Sequence, residues 1–209
     1  MIRTFVAIEL DPTLRSALGQ LQSRLKQVIP NRLPSGARIQ WVRPDSIHLT
    51  LKFLGDTDET RLGDIERALA HAAASRARFS LEVSVLGVFP DLRAPRVLWV
   101  GLSGRQDQGQ THAPDPLARL AGDIDQAMAT LGFPLEKRPF SPHLTLARIK
   151  EHAREVGRAL AGSGVMEHPQ SLGTLSVQAI ALIKSELKPS GAVYTRLCEV
   201  ALRETTADR

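Results

Sequence analysis

The sequence predicts an α+β fold: a pseudo-symmetric molecule of two lobes, each a small antiparallel sheet with helices on its outer face and a cleft between them. Three observations carry that expectation. Stretches alternating with the two-residue period of strands are interleaved with stretches of helical period, as mixed sheet and helix layers require. The tetrapeptide His48-Leu49-Thr50-Leu51 returns 95 positions later (143 − 48) as His143-Leu144-Thr145-Leu146. Each copy is also preceded by a helical stretch, residues 12–29 and 116–131, and followed by another, so the repeat extends beyond the motif. No linker composition divides the halves. Residues 1–203 are therefore expected to form one two-lobed domain, with 204–209 a frayed C-terminal tail.

The elements follow in order. Residues 3–9, rich in β-branched and aromatic types, read as a strand, and Asp11-Pro12 then suits a capped helix start. Leu14, Leu18, Leu21, Leu25 and Val28 keep one helical face as far as Pro30, and residues 31–36 form a turn-rich connector. Residues 39–42 read as a short strand. The motif strand, 47–54, follows Pro44-Asp45-Ser46 and closes at Gly55-Asp56. Strict alternation along it puts His48, Thr50 and Lys52 on one face and Leu49, Leu51 and Phe53 on the other. A helix from about Glu59 carries Leu62, Ile65, Leu69 and Ala72, and strands at 79–88 and 97–102 make a hairpin joined by 90–95. Residues 104–116, polar and rich in Gln, Gly and Pro, are expected to be an exposed, mobile loop. A third helix with Leu117, Leu120, Ile124, Met128 and Leu131 stops at Gly132, and Pro139-Phe140-Ser141-Pro142 leads into the second motif strand, which ends near Arg148-Ile149. A fourth helix spans about 151–160. Two last strands are expected at 176–185 and 192–202, turning at Lys188-Pro189-Ser190-Gly191.

Composition narrows the function classes. An apolar fraction of 43% and a charged fraction of 23% over 209 residues are those of a globular chain with a sizeable core. The net charge of +5 gives a modest preference for anionic partners such as RNA or nucleotides, and the arginines are scattered instead of forming a tail. A single cysteine, Cys198, allows neither an internal disulfide nor a cysteine metal cage. The opening Met1-Ile2-Arg3-Thr4-Phe5 has no leader pattern and no apolar run reaches bilayer length, so a cytoplasmic protein with no membrane partner, and a monomer, is expected.

Of the six histidines only His48 and His143 have a threonine two places on, and core packing gives no reason to repeat a histidine at matching positions. Histidine titrates nearest neutral pH, so of two rings facing one cleft one can accept a proton while the other donates one. Breaking a phosphodiester with water needs both transfers, in line. Each threonine hydroxyl, pointing the same way as its histidine, can hold a non-bridging phosphate oxygen. Two histidines are too few for a structural zinc, no carboxylate flanks both copies alike, and there is no Gly-rich phosphate loop or Gly-x-Ser-x-Gly elbow. No metal and no cofactor are expected. A non-catalytic binder of RNA or nucleotides is the rival reading, and the sequence does not itself say which histidine is acid and which base.

The pair H-L-T-L-K-F-L-G (48–55) and F-S-P-H-L-T-L-A-R (140–148) resembles the two H-x-T-x motifs of the 2H phosphoesterase superfamily, and within it the RNA 2′,3′-cyclic phosphodiesterase branch, historically named 2′-5′ RNA ligase. The similarity takes in R-T-F-V-A-I (3–8), W-V-R-P (41–44), V-L-W-V-G (97–101) and L-I-K-S-E-L (182–187) with Tyr194. It implies metal-independent hydrolysis of RNA 2′,3′-cyclic phosphate ends to 2′-phosphates. It implies His48 as proton donor to the leaving 3′ oxygen, His143 as the proton acceptor that activates water, and Thr50 and Thr145 as the phosphate-holding hydroxyls. Reversible 2′-5′ RNA ligation could use the same groups. Lys52 and Arg148 are further candidates for holding the anion or the rim of the cleft. Alternation turns Arg148 away from His143 unless the strand bulges there. Phe53, Phe140 and Tyr194, with Phe5, are candidate stacking surfaces for a base.

Overall fold

The β-branched and aromatic run at the N-terminus forms β1 (Ile2–Glu9), and its five residues from Thr4 to Ile8 are all buried, as befits a strand covered on both faces. The computed structural model describes residues 1–29, 33–104, 116–166, 171–189 and 191–204. Along the chain β1 is followed by α1 (Pro12–Val28), β2 (Arg38–Trp41), β3 (His48–Thr57), α2 (Leu62–Ala74), β4 (Phe79–Phe89) and β5 (Val97–Gly104). Then come α3 (Pro116–Thr130), β6 (His143–Glu151), α4 (Ala153–Ala161), β7 (Gly173–Val177), β8 (Ala179–Lys188) and β9 (Gly191–Ala201). The expected mobile loop at 104–116 and the tail beyond Glu204 fall almost wholly outside the described residues.

All the described strands belong to one curled antiparallel sheet in the order β7-β4-β5-β6-β3-β1-β8-β9, with β2 pairing the second edge of β6. One lobe is therefore β3, β1, β8 and β9, and the other is β6, β5, β4, β7 and β2. They join through a single residue pair, Leu49 opposite Leu144, at the middle of the repeated tetrapeptide. At the far ends the curl brings the sheet back on itself, where Ala77 bridges Arg203.

Helices α1 and α3 are exchanged between the lobes. α1 leaves β1 but packs across the other lobe, against β7, with Asp11 capping its start by accepting from Leu14 N at 2.9 Å. α3 follows β5 in sequence but packs on α2 and β3. α2 covers β8 and β9, and α4 lies on β6. The buried face of α1 is Leu14, Leu18, Gln22 and Leu25, so Gln22 takes the place in the stripe that periodicity gave to Leu21.

The expected strand over 176–185 is two strands. β7 pairs with β4 in one lobe, and after Gln178 the chain enters β8, which pairs with β1 in the other. A one-residue break between two apolar strands leaves no turn signature for sequence to display.

Candidate active site

The motif strands present their faces as alternation requires at first. Leu49 and Leu51 on β3, and Leu144 and Leu146 on β6, are buried in the main core, while His48, Thr50, His143 and Thr145 are half-buried on the opposite face. Because β3 and β6 run antiparallel through Leu49 and Leu144, continuing the register by one residue sets His48 beside Thr145 and Thr50 beside His143. Two polar pairs thus meet across the lobe boundary at one point.

Both rings are oriented the same way. His48 Nδ1 donates to Ser46 O at 2.9 Å and His143 Nδ1 donates to Ser141 O at 2.8 Å. A carbonyl can only accept, so the hydrogen of each neutral ring sits on Nδ1 and Nε2 is left free to take or, once protonated, give a proton. The bond is repeated because the sequence is: Pro-x-Ser-x-His-Leu-Thr-Leu occurs at 44–51 and again at 139–146, a longer repeat than the tetrapeptide alone.

The rings sit in unlike surroundings. His48 stacks on Phe5, centroids 4.7 Å apart, and meets the edge of Tyr194 at 5.0 Å. Phe5 belongs with Ala7, Ala181 and Ile183 to a small apolar cluster on the cleft side of β1 and β8. Burial pushes the His48 imidazole down to about 4, the Ser46 bond opposes that shift, and the positive charge of Arg148 and of His143 adds to it. His143 instead meets the edge of Phe89 at 5.0 Å and lies near Trp99.

After the second leucine of each motif, alternation stops. Ala7 pairs with Thr50 but Val6 pairs with Lys52, leaving Leu51 as an extra residue; likewise Trp99 pairs with Thr145 and Leu98 with Ala147, leaving Leu146 extra. Both strands carry the same β-bulge, and it reverses the side chains that follow it, Lys52 and Phe53 in β3 and Ala147 and Arg148 in β6. Lys52 accordingly does not share the face of His48. It is buried, with its ammonium bound to Asp125 and donating to Pro134 O at 2.8 Å, so the expectation that it holds the anion is corrected. Phe53 moves the other way, from the expected core face into the cleft, where it is 63% exposed. The same bulge returns Arg148 to the cleft, resolving the direction that plain alternation gave it. Phe140 is corrected as well: it packs against the main core and does not line the cleft.

The cleft encloses about 680 Å³ over His48, Thr50, His143 and Thr145, with Phe53 and Tyr194 on one side and Arg148 on the other. Its rim adds cationic groups that sequence reading passed over, Arg3, Lys150 and Lys188. Arg3 stands two places before Phe5 and Lys150 two after Arg148, so strand alternation from known cleft residues is the signal that finds them. Among the described residues no three His, Cys, Asp or Glu side chains gather as metal ligands would, and no helix is long and apolar enough to cross a membrane. Chemically, the arrangement offers two imidazoles with free Nε2 atoms, two hydroxyls, an arginine and aromatic faces: groups for in-line acid–base chemistry at an anionic phosphate ester, with surfaces on which a planar group could stack.

Comparison with known proteins gives a consistent picture. A family model described as LigT like Phosphoesterase matches residues 8–99 and 109–194. A Methanothermobacter thermautotrophicus protein named RNA 2′,3′-cyclic phosphodiesterase is 30% identical over 93% of this chain and 95% of its own length. A Thermus thermophilus protein of the same name is 34% identical over 97% of this chain and 91% of its own. Among solved structures, TT0787 of Thermus thermophilus superposes with a TM-score of 0.74 at 30% identity, covering 97% of this chain and 99% of that one. E. coli LigT complexed with 3′-AMP superposes with a TM-score of 0.66 at 28% identity, covering 96% and 98%.

Proposed function

The chain belongs to the family of LigT like phosphoesterases, and we propose that it hydrolyses RNA 2′,3′-cyclic phosphate ends to 2′-phosphates with His48 and His143 as acid and base. The observation that carries this reading is the meeting of two His/Thr pairs about Leu49 and Leu144, in a cleft with a cationic rim. Relatives named RNA 2′,3′-cyclic phosphodiesterase support the substrate.

In this reading water enters in line with the 3′ oxygen. His143 Nε2 takes its proton as the water oxygen bonds to phosphorus. The bond from phosphorus to the 3′ oxygen breaks, and that oxygen takes the proton of His48 Nε2, leaving a 2′-phosphate and a 3′-hydroxyl. Thr50 and Thr145 donate to the non-bridging oxygens as their charge grows. The ordering of acid and base rests on the resemblance in the motifs. The protein's own electrostatics place a demand on it, since a ring held at about 4 carries little proton at neutral pH. The substrate meets that demand. Its phosphate brings a negative charge against a ring depressed by burial and by neighbouring positive groups, so binding raises His48 toward the protonated state. An RNA 5′-hydroxyl in place of water would run ligation to a 2′-5′ link through the same groups. The reading takes the protein as a cytoplasmic monomer with a single domain over residues 1–203.

Incubation with a 2′,3′-cyclic-phosphate oligonucleotide in EDTA tests the reading. The expected product is the 2′-phosphate, formed at an undiminished rate. His48→Ala and His143→Ala should each lower kcat by on the order of 10² or more. A requirement for added divalent metal, or wild-type turnover in either variant, would overturn it.

A further inference from the structure

The matched bulges have matched supports. In β3 the residue after the extra Leu51, Lys52, carries a buried ammonium held by Asp125 of α3 and by Pro134 O. In β6 the equivalent residue is Ala147, too short to reach anything, and the support is a side chain from α1 instead. Gln22, 1% exposed, donates through Nε2 to Leu146 O at 2.9 Å and to Val42 O at 2.8 Å. Val42 N also donates to Leu146 O, so Gln22 closes the end of the β2–β6 ladder on the extra residue of the bulge. Each support comes from a helix whose preceding strand lies in the other lobe: α1 follows β1 and reaches β6, while α3 follows β5 and reaches β3.

A buried ammonium or amide is costly unless something requires it, and an apolar residue in a core stripe stabilises more simply. Here each polar group is spent at the one place where the strand must break its alternation. The residue just beyond each bulge, Phe53 in one lobe and Arg148 in the other, is the one that turns into the cleft. We propose that Lys52–Asp125 and Gln22 are equivalent positioning groups, each fixing from an exchanged helix the bulge that delivers Phe53 or Arg148 to the substrate. The inference rests on the cleft being the substrate site. Lys52, expected from sequence to touch the anion, acts through Phe53. Gln22 acts through Arg148.

The test is a pair of double-mutant cycles, Lys52→Met with Phe53→Ala and Gln22→Met with Arg148→Ala. Each is read as kcat/KM on a cyclic-phosphate oligonucleotide and as Kd for a 2′-phosphate-ended one. Methionine keeps the length of either side chain without its polar atoms. Each single variant should lose roughly tenfold, the scale of one base stack or one guanidinium contact. The positioning variant should then cost nothing more once its downstream side chain is gone, because residues acting in series are not additive. Crossing the pairs, Lys52→Met with Arg148→Ala, should give additive losses, which a general loosening of the fold would not. If Lys52→Met leaves Asp125 too destabilising to fold, Lys52→Met/Asp125→Leu removes both partners and replaces it. Additive losses within the pairs, or folded variants with unchanged kcat/KM and Kd, would overturn the proposal. A wild type without turnover overturns the functional reading alone, and the binding cycles still decide the positioning roles.

Discussion

At the scale of single residues the site is two histidines made alike by sequence and unlike by surroundings. Each is oriented by a carbonyl two residues back, yet only His48 is stacked on a buried phenylalanine and enclosed by a tyrosine edge. The acid limb of kcat/KM, which reports the free enzyme, should therefore lie near pH 4, well below that of an ordinary histidine. A limb between pH 6 and 7 would mean that burial does not depress His48. A pH profile cannot assign the roles, because acid and base exchanged give the same bell. Leaving-group chemistry can. A cyclic substrate with sulfur as the bridging 3′ atom needs no proton donor, so it should restore turnover to His48→Ala and leave His143→Ala inactive. Rescue of His143→Ala instead would reverse the assignment. These two residues and their threonines were legible in the sequence because their alternation precedes the bulge. Lys52 and Phe53 lie beyond it, and the two were exchanged between faces for that reason alone.

Elements decide what the residues can reach. Helices α1 to α4 and strands β5 and β9 lie close to the spans that periodicity predicts, whereas β7 and β8 read as one strand in the sequence and β4 breaks its alternation at the exposed Val85. The bulges do not show there, since Leu51-Lys52 and Leu146-Ala147 carry no glycine or turn residue to mark a broken ladder. Nor does the exchange of helices between lobes, which local pattern cannot record. One strand position nevertheless reads directly as chemistry. A Cβ on Gly87 would run into the Trp99 ring, which lies across β4 from its own strand β5 and against Phe89. The indole can approach only because that position has no side chain. Gly87→Ala should displace Trp99 and with it the aromatic surroundings of His143. An overpacked site of this kind costs about 1–3 kcal/mol, and at this chain length each kcal/mol lowers Tm by roughly 2–4 °C. Thermal unfolding would show the loss, and a Tm equal to wild type would mean that the indole moves freely.

For the whole molecule, the proposed catalytic centre is also the joint. The lobes share one curled sheet, but β3 and β6 pair only at Leu49 and Leu144, so the boundary between lobes is stabilised by the exchanged helices and by whatever the cleft contains. A half-buried histidine there, His48, couples function to stability. Because His48 holds its proton less readily when folded than when unfolded, the unfolded chain binds more protons between about pH 6.5 and about 4. Stability therefore rises with pH across that window and is lost as pH falls through it, up to roughly 3 kcal/mol for a shift of this size. Denaturant unfolding measured at several pH values should show this slope in the wild type and a smaller one in His48→Gln, whose amide does not titrate. Anions bear on the same quantity from the other side. Phosphate or a 2′-phosphate-ended oligonucleotide that binds in the cleft should flatten the slope by raising His48 in the folded state, while also stabilising the protein by mass action. Identical slopes in wild type and His48→Gln would mean that the ring under Tyr194 is as open to water as a surface histidine, and the acid–base asymmetry of the cleft would need another source.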